Sequence, residues 1–331
     1  MKRIILFTTL LLCAFPFLAQ ESFFIQTETR YWDKSNTSDG YTLFGTGVKI
    51  YFIDFEGHVI HTWNIGTSPR FIEVGTLLDA AGSNPSSSTS WEELDWNGNI
   101  VWQYTETRST YHHDFEKIYN PKPDDSPFIY IANKYLTSVQ CLAAGCNATQ
   151  NYSETQMDAI VEVNRQGTVI WEWCFSNHVV QDLYPSITTT YGVIANTPGR
   201  RNLNTPCMPV QKDWLHCNAL NYNQSKNQIV ISFVHGKFYV IDHGNTFISN
   251  KPDSSIALVA YTKKDFLYTF GYPTKYNQVS APSIGTNRET STTGNKQIGG
   301  NHDVQWIKSG LSGAGDFLIF NNGQNLFELS G

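Results

Sequence analysis

Three segments of the chain repeat one hairpin pattern, and this repetition constrains the fold more than any other feature of the sequence. Each runs from an apolar strand, through a turn with Asp or Asn first and Gly fourth, into a second apolar strand ending in aromatic residues. The three segments are YFIDFEGHVIHTW at 51–63, EELDWNGNIVWQY at 92–104 and VEVNRQGTVIWEW at 161–173. The first turn residue can cap the turn through its side-chain oxygen, and glycine suits the fourth position. The pattern predicts β-hairpins.

The rest of the chain supports an all-β class. Helical periodicity is nearly absent, and a weaker strand-turn-strand unit occupies 228–244. Hairpins repeated with aromatic tips favour a β-propeller over a β-sandwich. We predict loops over 105–128, 136–156 and 176–212, which separate the repeats. The sequence ends in FLIFNNGQNLFELSG, and we expect the last strands that would close a propeller to be missing.

The distribution of charge and hydropathy argues against nucleic-acid binding and against a membrane-spanning segment. The chain has 331 residues and a formal net charge of -6, and its Lys and Arg residues are scattered. A nucleic-acid surface needs a clustered basic stripe, so we predict no nucleic-acid partner. No segment after the N-terminus approaches the roughly 20 apolar residues of a membrane span. We therefore predict no membrane span, and the oligomeric state stays open.

The N-terminus has the features of a secretory signal peptide. Lys2 and Arg3 precede the apolar run IILFTTLLLCAFPFLA, and we expect cleavage near Ala19 or Gln20. The prediction is a signal peptide over 1–20, a propeller domain over 21–331, and a secreted or periplasmic protein.

Export bears on the cysteines, because disulfides persist in oxidising compartments. Cys141 and Cys146 lie close together in CLAAGC and could close a small loop. Cys174, Cys207 and Cys217 leave an odd count, so at least one thiol is free or paired outside the chain.

Three histidines stand in polar stretches beside strands. They are His113 in YHHDFEKI, His216 in DWLHCNAL and His302 in GGNHDVQWI. Equivalent positions of different propeller blades converge on the central axis, so we predict that residues far apart in sequence share one pocket.

The stretch DWLHCNALNYN at 213–223 is typical of an extended strand. Strand alternation would place His216 and Asn218 on one face and Cys217 on the other. A buried, satisfied histidine is the simplest explanation of such a pair taken alone.

Five segments in order give the chain a family resemblance. They are GYTLFGTGVKIYFIDFEGHVIHTW, the HHD at 112–114, DAIVEVNRQGTVIWEW, DWLHCN, and GGNHDVQW followed by GAGDFLIFNNG. Together they cover about 31–323 and resemble the bacterial aryl-sulfate sulfotransferases. The resemblance implies a six-bladed propeller with its active site in the central channel. It also implies sulfuryl transfer from a small phenolic sulfate to an acceptor phenol, without a nucleotide donor, cofactor or metal.

The resemblance also implies roles for individual residues. His302 is similar to the nucleophile that is transiently sulfated, His216 and Asn218 to the paired donors, and His113 to a histidine from an earlier blade. His112 fits less well, because only the second histidine of the doublet is followed by aspartate, as His302 is. Neutral imidazole is a competent nucleophile, and a covalent intermediate divides one difficult transfer into two easier ones.

One position departs from the family pattern. The family has an arginine in the strand after DWLHCN, where this chain has Val234 in VISFVHG. Arginine holds an anionic oxygen with a charged, forked donor, which valine lacks. His235 and Lys237 are the nearest residues that could compensate, although alternation points at least one of them away.

Three other functions fit parts of the sequence. DWNGNIVW resembles the blade pattern of quinoprotein dehydrogenases, but the adjacent cysteine pair of those enzymes is absent. Three histidines from separate strands could bind zinc with one position open. A secreted propeller that only binds its partners is the non-enzyme alternative, and Val234 favours it.

Overall fold

Short antiparallel strands dominate the structure, a computed structural model. It describes residues 29, 31–37, 39–46, 49–64, 69–71, 76–81, 90–107, 109–118, 126–147, 154–204, 213–234, 236–243, 265–271 and 298–322. The predicted signal peptide over 1–20, Cys207 and His235 lie outside these residues. In the described part of the chain, no helix has both the length and the apolar character needed to span a bilayer.

Five antiparallel sheets follow one another along the described chain. The first contains β1 (Thr42–Gly45), β2 (Ile50–Ile53) and β3 (Val59–Trp63). The second contains β4 (Arg70–Phe71), β5 (Leu77–Ala81), β6 (Ser90–Leu94) and β7 (Ile100–Thr105). The third contains β8 (Tyr111–Lys117), β9 (Phe128–Thr137), β10 (Glu154–Val163) and β11 (Val169–Cys174).

After the third sheet the chain makes a long excursion. It contains a pair of short parallel strands, β12 (Val179–Val180) and β13 (Arg201–Asn202). The fourth sheet contains β14 (Cys217–Asn223), β15 (Gln228–Phe233), β16 (Lys237–Asp242) and β17 (Tyr268–Gly271). The fifth contains β18 (His302–Trp306) and β19 (Phe317–Phe320). The α-helix α1 (Ser138–Ala143) joins β9 to β10, and 3₁₀ turns occupy Phe175–Asn177 and Ile194–Asn196.

The strand order is that of propeller blades. Every strand of the five sheets pairs with the strand before or after it in the sequence. The first strands of successive sheets also pack together, since β14 contacts both β8 and β18. The chain is therefore an all-β propeller, as predicted. The described residues form five blade-like sheets, and six blades remains a prediction.

The predicted hairpins are confirmed. In the turn between β6 and β7, Asp95 accepts the Asn99 N–H at 2.8 Å, and Gly98 has a φ of 84°. A non-glycine residue is strained in this left-handed region. The aromatic residues of the second strands pack as rings between blades. Trp102, for example, donates its indole N–H to the Arg165 carbonyl of the next sheet's turn at 2.8 Å.

The loop predicted over 105–128 is wrong in part, because this range contains β8. The strand has no apolar-polar alternation: Tyr111, His112, Asp114 and Phe115 are all buried. Its register with β9 is interrupted between Tyr111 and Phe115. A strand that is buried on both faces and bulged lacks the period of two on which sequence assignment relies.

The predicted bridge between Cys141 and Cys146 is present, and it closes the end of α1. Cys141 and Cys146 belong to the largest apolar cluster, which lies between the third and fourth sheets. Cys217 is fully buried in the same cluster and is a free thiol.

Candidate active site

The inner strands β8, β14 and β18 are joined by side chains that bond the backbone of the next blade. Glu116 of β8 accepts the Tyr222 N–H at 2.7 Å, and Asn221 of β14 accepts the Trp306 N–H at 3.0 Å. In both contacts, a side chain of one inner strand accepts a backbone N–H from the inner strand of the next blade. Glu116 and Asn221 therefore hold equivalent positions, and so do Tyr222 and Trp306.

This equivalence places three predicted site residues at corresponding positions of the inner strands. Counting back three residues from Glu116 and Asn221 gives His113 and Asn218. Counting back four residues from Trp306, the equivalent of Tyr222, gives His302. His113, Asn218 and His302 thus occupy corresponding places on three successive blades.

His216 joins this group from just before β14. Its ring contacts the ring of His113 edge-on, with 4.8 Å between centroids. His113, His216 and Asp303 have φ values of 61°, 50° and 50°. Left-handed backbone is rare for such residues and concentrates at functional sites.

The extended run predicted from residue 213 is wrong at its start. The strand begins at Cys217, and the left-handed His216 lies in a bend that ends the alternation. Asp213 sets this bend by accepting the His216 backbone N–H at 2.9 Å.

Asp213 also holds the imidazole of His216, through a 2.5 Å contact with Nδ1. This hydrogen bond is the main cause that raises the pKa of His216, and it outweighs the effect of partial burial. His216 is therefore biased toward the imidazolium form, with an N–H at Nε2.

The ring of His302 is held in one tautomer. Its Nδ1 lies 2.9 Å from the Gly300 carbonyl, which only accepts, so Nδ1 carries the hydrogen. The Asn322 amide nitrogen also lies 3.2 Å from Nδ1, but it donates to the same carbonyl at the shorter distance of 2.7 Å, so the carbonyl contact sets the tautomer. In neutral His302 the lone pair is consequently at Nε2, the nitrogen remote from the backbone.

His113 is kept uncharged. Burial, followed by the proximity of His112 and His216, lowers the pKa of His113 to about 4. His302 acts on it in the same direction, so His113 lies within electrostatic reach of both His216 and His302. His112 lies behind His113, with 2.9 Å between the two Nδ1 atoms, and is buried.

Asn218 anchors the neighbouring blade. Its side chain donates to the Asn301 carbonyl at 2.6 Å and accepts from the Ser232 hydroxyl at 2.6 Å. Asn301 directly precedes His302, so Asn218 fixes the start of β18. The second hydrogen of its amide is the donor that it can offer to a substrate.

Val234 connects the site through its backbone. Its N–H donates to the His216 carbonyl at 3.3 Å, and its carbonyl accepts the Gly300 N–H at 2.9 Å. Its side chain carries no hydrogen-bond donor. Lys237 is buried, and its carbonyl accepts from Asn301 at 3.3 Å.

Sequence reasoning missed the residues that orient the histidines. These are Asp158, Asp213, Gly300, Asn322 and, as a support for His113, His112. Asp213 and Gly300 stand within three residues of the histidines that they hold, so the quoted motifs contained that signal. Asp158 and Asn322 lie in two of the segments that carry the family resemblance, but no pattern in the sequence assigned either residue to the site.

One cluster of possible metal ligands occurs among the residues that the structure describes. Asp54, Glu56 and His58 place potential ligand atoms within 4.8 Å of one another. They lie in an outer hairpin turn, where Asp54 accepts the His58 N–H at 2.8 Å and Glu56 and His58 are exposed. The three channel histidines are not part of this cluster.

Comparison with known proteins gives one strong match. The model of the family described as Arylsulfotransferase (ASST) matches residues 24–328. No curated protein matches the sequence.

Several solved structures share a weaker similarity. KlHsv2 with loop 6CD replaced by a Gly-Ser linker has a TM-score of 0.31 and 10% identity, over 62% of this chain and 48% of that one. BamB from Moraxella catarrhalis has a TM-score of 0.30 and 11% identity, over 62% and 46%. The β-propeller domain of Cps50 (Swd1) from Myceliophteria thermophila has 0.28 and 8%, over 70% and 67%. The chain spans about half the length of the first two. The fold assignment rests on the strand order and not on these similarities.

Proposed function

The chain belongs to the arylsulfotransferase family, and we propose that it moves a sulfuryl group between phenols by a ping-pong mechanism through sulfated His302. The convergence of His113, His216 and His302 from three blades supports this proposal most strongly. Within that group, His302 has its hydrogen held at Nδ1 and its lone pair at Nε2.

In the first half-reaction, the lone pair of His302 Nε2 attacks the sulfur of a phenolic sulfate ester. The bond from sulfur to the phenolic oxygen breaks, and its electron pair leaves with the phenolate. His216, whose raised pKa favours the imidazolium, donates its Nε2 proton to that phenolate. The products are a free phenol, neutral His216 and sulfated His302.

The Gly300 carbonyl keeps the sulfated ring reactive. Because Nδ1 retains its hydrogen on Gly300, sulfation of Nε2 gives a cationic ring. When the bond between nitrogen and sulfur breaks, the group that leaves is therefore neutral imidazole, which is a good leaving group. In the second half-reaction, neutral His216 accepts the proton of an acceptor phenol, whose oxygen attacks the sulfur and restores His302.

His216 also offers the positive charge that Val234 does not provide. Its imidazolium is held at 2.5 Å by Asp213, beside the ring of His113. Donors aimed at developing negative charge are worth on the order of 10² to 10³ in rate. The second amide hydrogen of Asn218 is a further donor at the same level of the channel.

The covalent intermediate tests the proposal directly. The purified protein would be mixed with 4-nitrophenyl sulfate without an acceptor and quenched at alkaline pH, because sulfated histidine is labile in acid. We expect a burst of one nitrophenol per protein and one added sulfuryl group on the peptide that contains His302.

Two variants provide the controls. His302→Ala should lose both the burst and the adduct. His58→Ala, which removes an exposed histidine from an outer hairpin, should keep both. Nitrophenol release without an adduct would contradict the ping-pong mechanism. Neither product from a folded protein would support the binding scaffold instead.

We also propose that the protein is exported, because its first 20 residues have the features of a signal peptide and its mature part forms a disulfide. Expression with and without 1–20, followed by fractionation, tests this. Retention of the complete chain in the cytoplasm would contradict it.

A further inference from the structure

One buried carboxylate links two of the site histidines. Asp158 of β10 is fully buried, and its Oδ1 lies 3.1 Å from His112 Nε2. Its Oδ2 accepts the backbone N–H of Cys217 at 2.8 Å. His112 precedes His113 in the chain and Cys217 follows His216, so this carboxylate reaches both histidines through their neighbours.

Asp158 is ionised despite its burial. Burial alone would raise its pKa, but the His112 ring and the N–H groups of His112 and Cys217 together lower the pKa below its usual value. A buried carboxylate is stable only when it is paired with an opposite charge or well hydrogen-bonded. Asp158 also accepts from the Gln156 amide and the Cys217 N–H, which carry no charge. His112 is the group in contact that can supply a cation.

The charge balance of the site favours the same assignment. The charged groups facing one another are the carboxylates of Asp158 and Asp213 and the imidazoles of His112 and His216. With both imidazoles protonated, the four charges cancel. With neutral His112 the group is anionic, which would repel a sulfate ester.

We propose that Asp158 and His112 form a buried ion pair that positions His113 as an uncharged donor to the sulfuryl oxygens, a role that rests on the function proposed above. Protonated His112 carries hydrogens on both nitrogens and donates from Nδ1 to His113 Nδ1. Neutral His113 then has its one hydrogen on Nε2, the nitrogen that His112 does not contact. The substrate meets a neutral N–H with a cation behind it, which compensates in part for the arginine that Val234 replaces.

Asp158 and His112 are thus positioning residues, and His113 is the residue that touches the substrate. A matched pair exists on the same strand, because buried Glu162 lies 2.6 Å from Nε2 of the partly buried His243. Glu162→Gln therefore controls for the loss of a buried carboxylate–histidine contact from β10 away from the channel.

The first experiment records the ring nitrogens of the protein labelled with ¹⁵N-histidine at neutral pH, with His112 and His113 assigned from single His→Gln variants. We expect both nitrogens of His112 to be protonated and the hydrogen of His113 to be on Nε2. In Asp158→Asn, His112 should become neutral, whereas Glu162→Gln should leave both rings unchanged. Neutral His112 in the wild type, or a His113 hydrogen on Nδ1, would overturn the proposal.

The second experiment measures kcat/KM for 4-nitrophenyl sulfate. Removing a group that orients an active-site ring typically costs on the order of 10- to 100-fold, and we expect a loss of that size in Asp158→Asn but not in Glu162→Gln. Equal rates in the two variants would overturn the positioning role.

His112→Gln provides the same test if Asp158→Asn does not fold. The glutamine amide can still donate to Asp158 but does not reach His113, so the buried carboxylate stays bonded and the rate should fall equally. Wild-type rates in this variant would contradict the proposal. If the wild type forms no adduct on His302, the sulfotransferase mechanism fails, while the ring spectra still decide the charge of His112.

Discussion

In the outer hairpins a turn carboxylate bonds residues four positions away, whereas in the inner strands carboxylates bond a different blade. Asp95 accepts both the backbone and side-chain N–H groups of Asn99. Asp114 accepts the Leu220 N–H at 2.9 Å, across 106 residues of sequence, and also pairs with Arg70. The turn carboxylates therefore stabilise single blades, while the inner carboxylates hold blades together and shape the site. Changes in the two regions should accordingly differ in kind.

The largest expected effect is on kcat/KM, which should fall in Asp213→Asn but not in Asp95→Asn. Both carboxylates cap a bend, but Asp213 also raises the pKa of His216. Asp213→Asn removes this effect, so His216 becomes neutral at lower pH and less acid is available to the leaving phenolate. General acid catalysis contributes about 10²- to 10⁴-fold. We expect kcat/KM for phenyl sulfate to fall about 100-fold at neutral pH, with the basic limb of its pH profile moved to lower pH.

The leaving group provides the control for this prediction. 4-Nitrophenolate needs little protonation, so kcat/KM for 4-nitrophenyl sulfate should fall much less in Asp213→Asn. Asp95→Asn should change neither substrate. Equal losses for the two substrates would remove His216 from the role of acid.

The next difference concerns stability and pH. Burial is the main cause that raises the pKa of Glu116 from 4.5 to about 7. Because the folded value is the higher one, this group's contribution to stability is fully present below about pH 4.5 and is lost as the pH rises to about 7. At about 1.4 kcal/mol per pKa unit, the loss reaches about 3 kcal/mol. Glu116→Gln should therefore become more stable relative to the wild type between pH 5 and pH 8, as measured by urea unfolding.

His113 gives the opposite slope over nearly the same range. Its folded pKa is about 4, below the ordinary 6.5, so its contribution is present above pH 6.5 and is lost as the pH falls toward 4. In His113→Gln, the free energy of unfolding should therefore fall less than in the wild type as the pH is lowered from 6.5 to 4. A pH dependence identical to the wild type in both variants would contradict the buried placement of these inner side chains.

The smallest effect is expected in an outer turn. Gly98 has a φ of 84°, and an added Cβ would lie 3.8 Å from the Trp63 ring, an ordinary contact. Gly98→Ala should therefore lose only about 1 kcal/mol of unfolding free energy through backbone strain, with sulfuryl transfer unchanged. A marked loss of transfer activity would show that the outer turns affect the site, which would contradict the functional separation of the outer turns from the inner strands.

The same contrast explains which features the sequence predicted. The hairpin turns are local: Asp95, its partner Asn99 and the glycine between them lie within five residues, so the pattern is visible and repeats. The inner strand β8 has no alternation, and its range was assigned to a loop. Its Glu116 has a partner at Tyr222 that no window of sequence includes.

The site shows the same division. His113, His216 and His302 stood out as residues in polar stretches, and the resemblance supplied their roles. Their geometry depends on contacts that arise only after folding, such as Asp158 with His112, 46 residues apart. The bend at His216 was missed because one left-handed residue changes the strand without changing the composition.

The inner edge of β14 has a consequence for what can enter the channel. The outermost amides of a sheet normally form a template on which an extended peptide can add as another strand. Along β14 the amides of Cys217, Leu220 and Tyr222 already donate to Asp158, Asp114 and Glu116 of the third sheet. A polypeptide lying along this edge would find those three amides already bonded, so contacts beside β14 are left to side chains and not to backbone pairing.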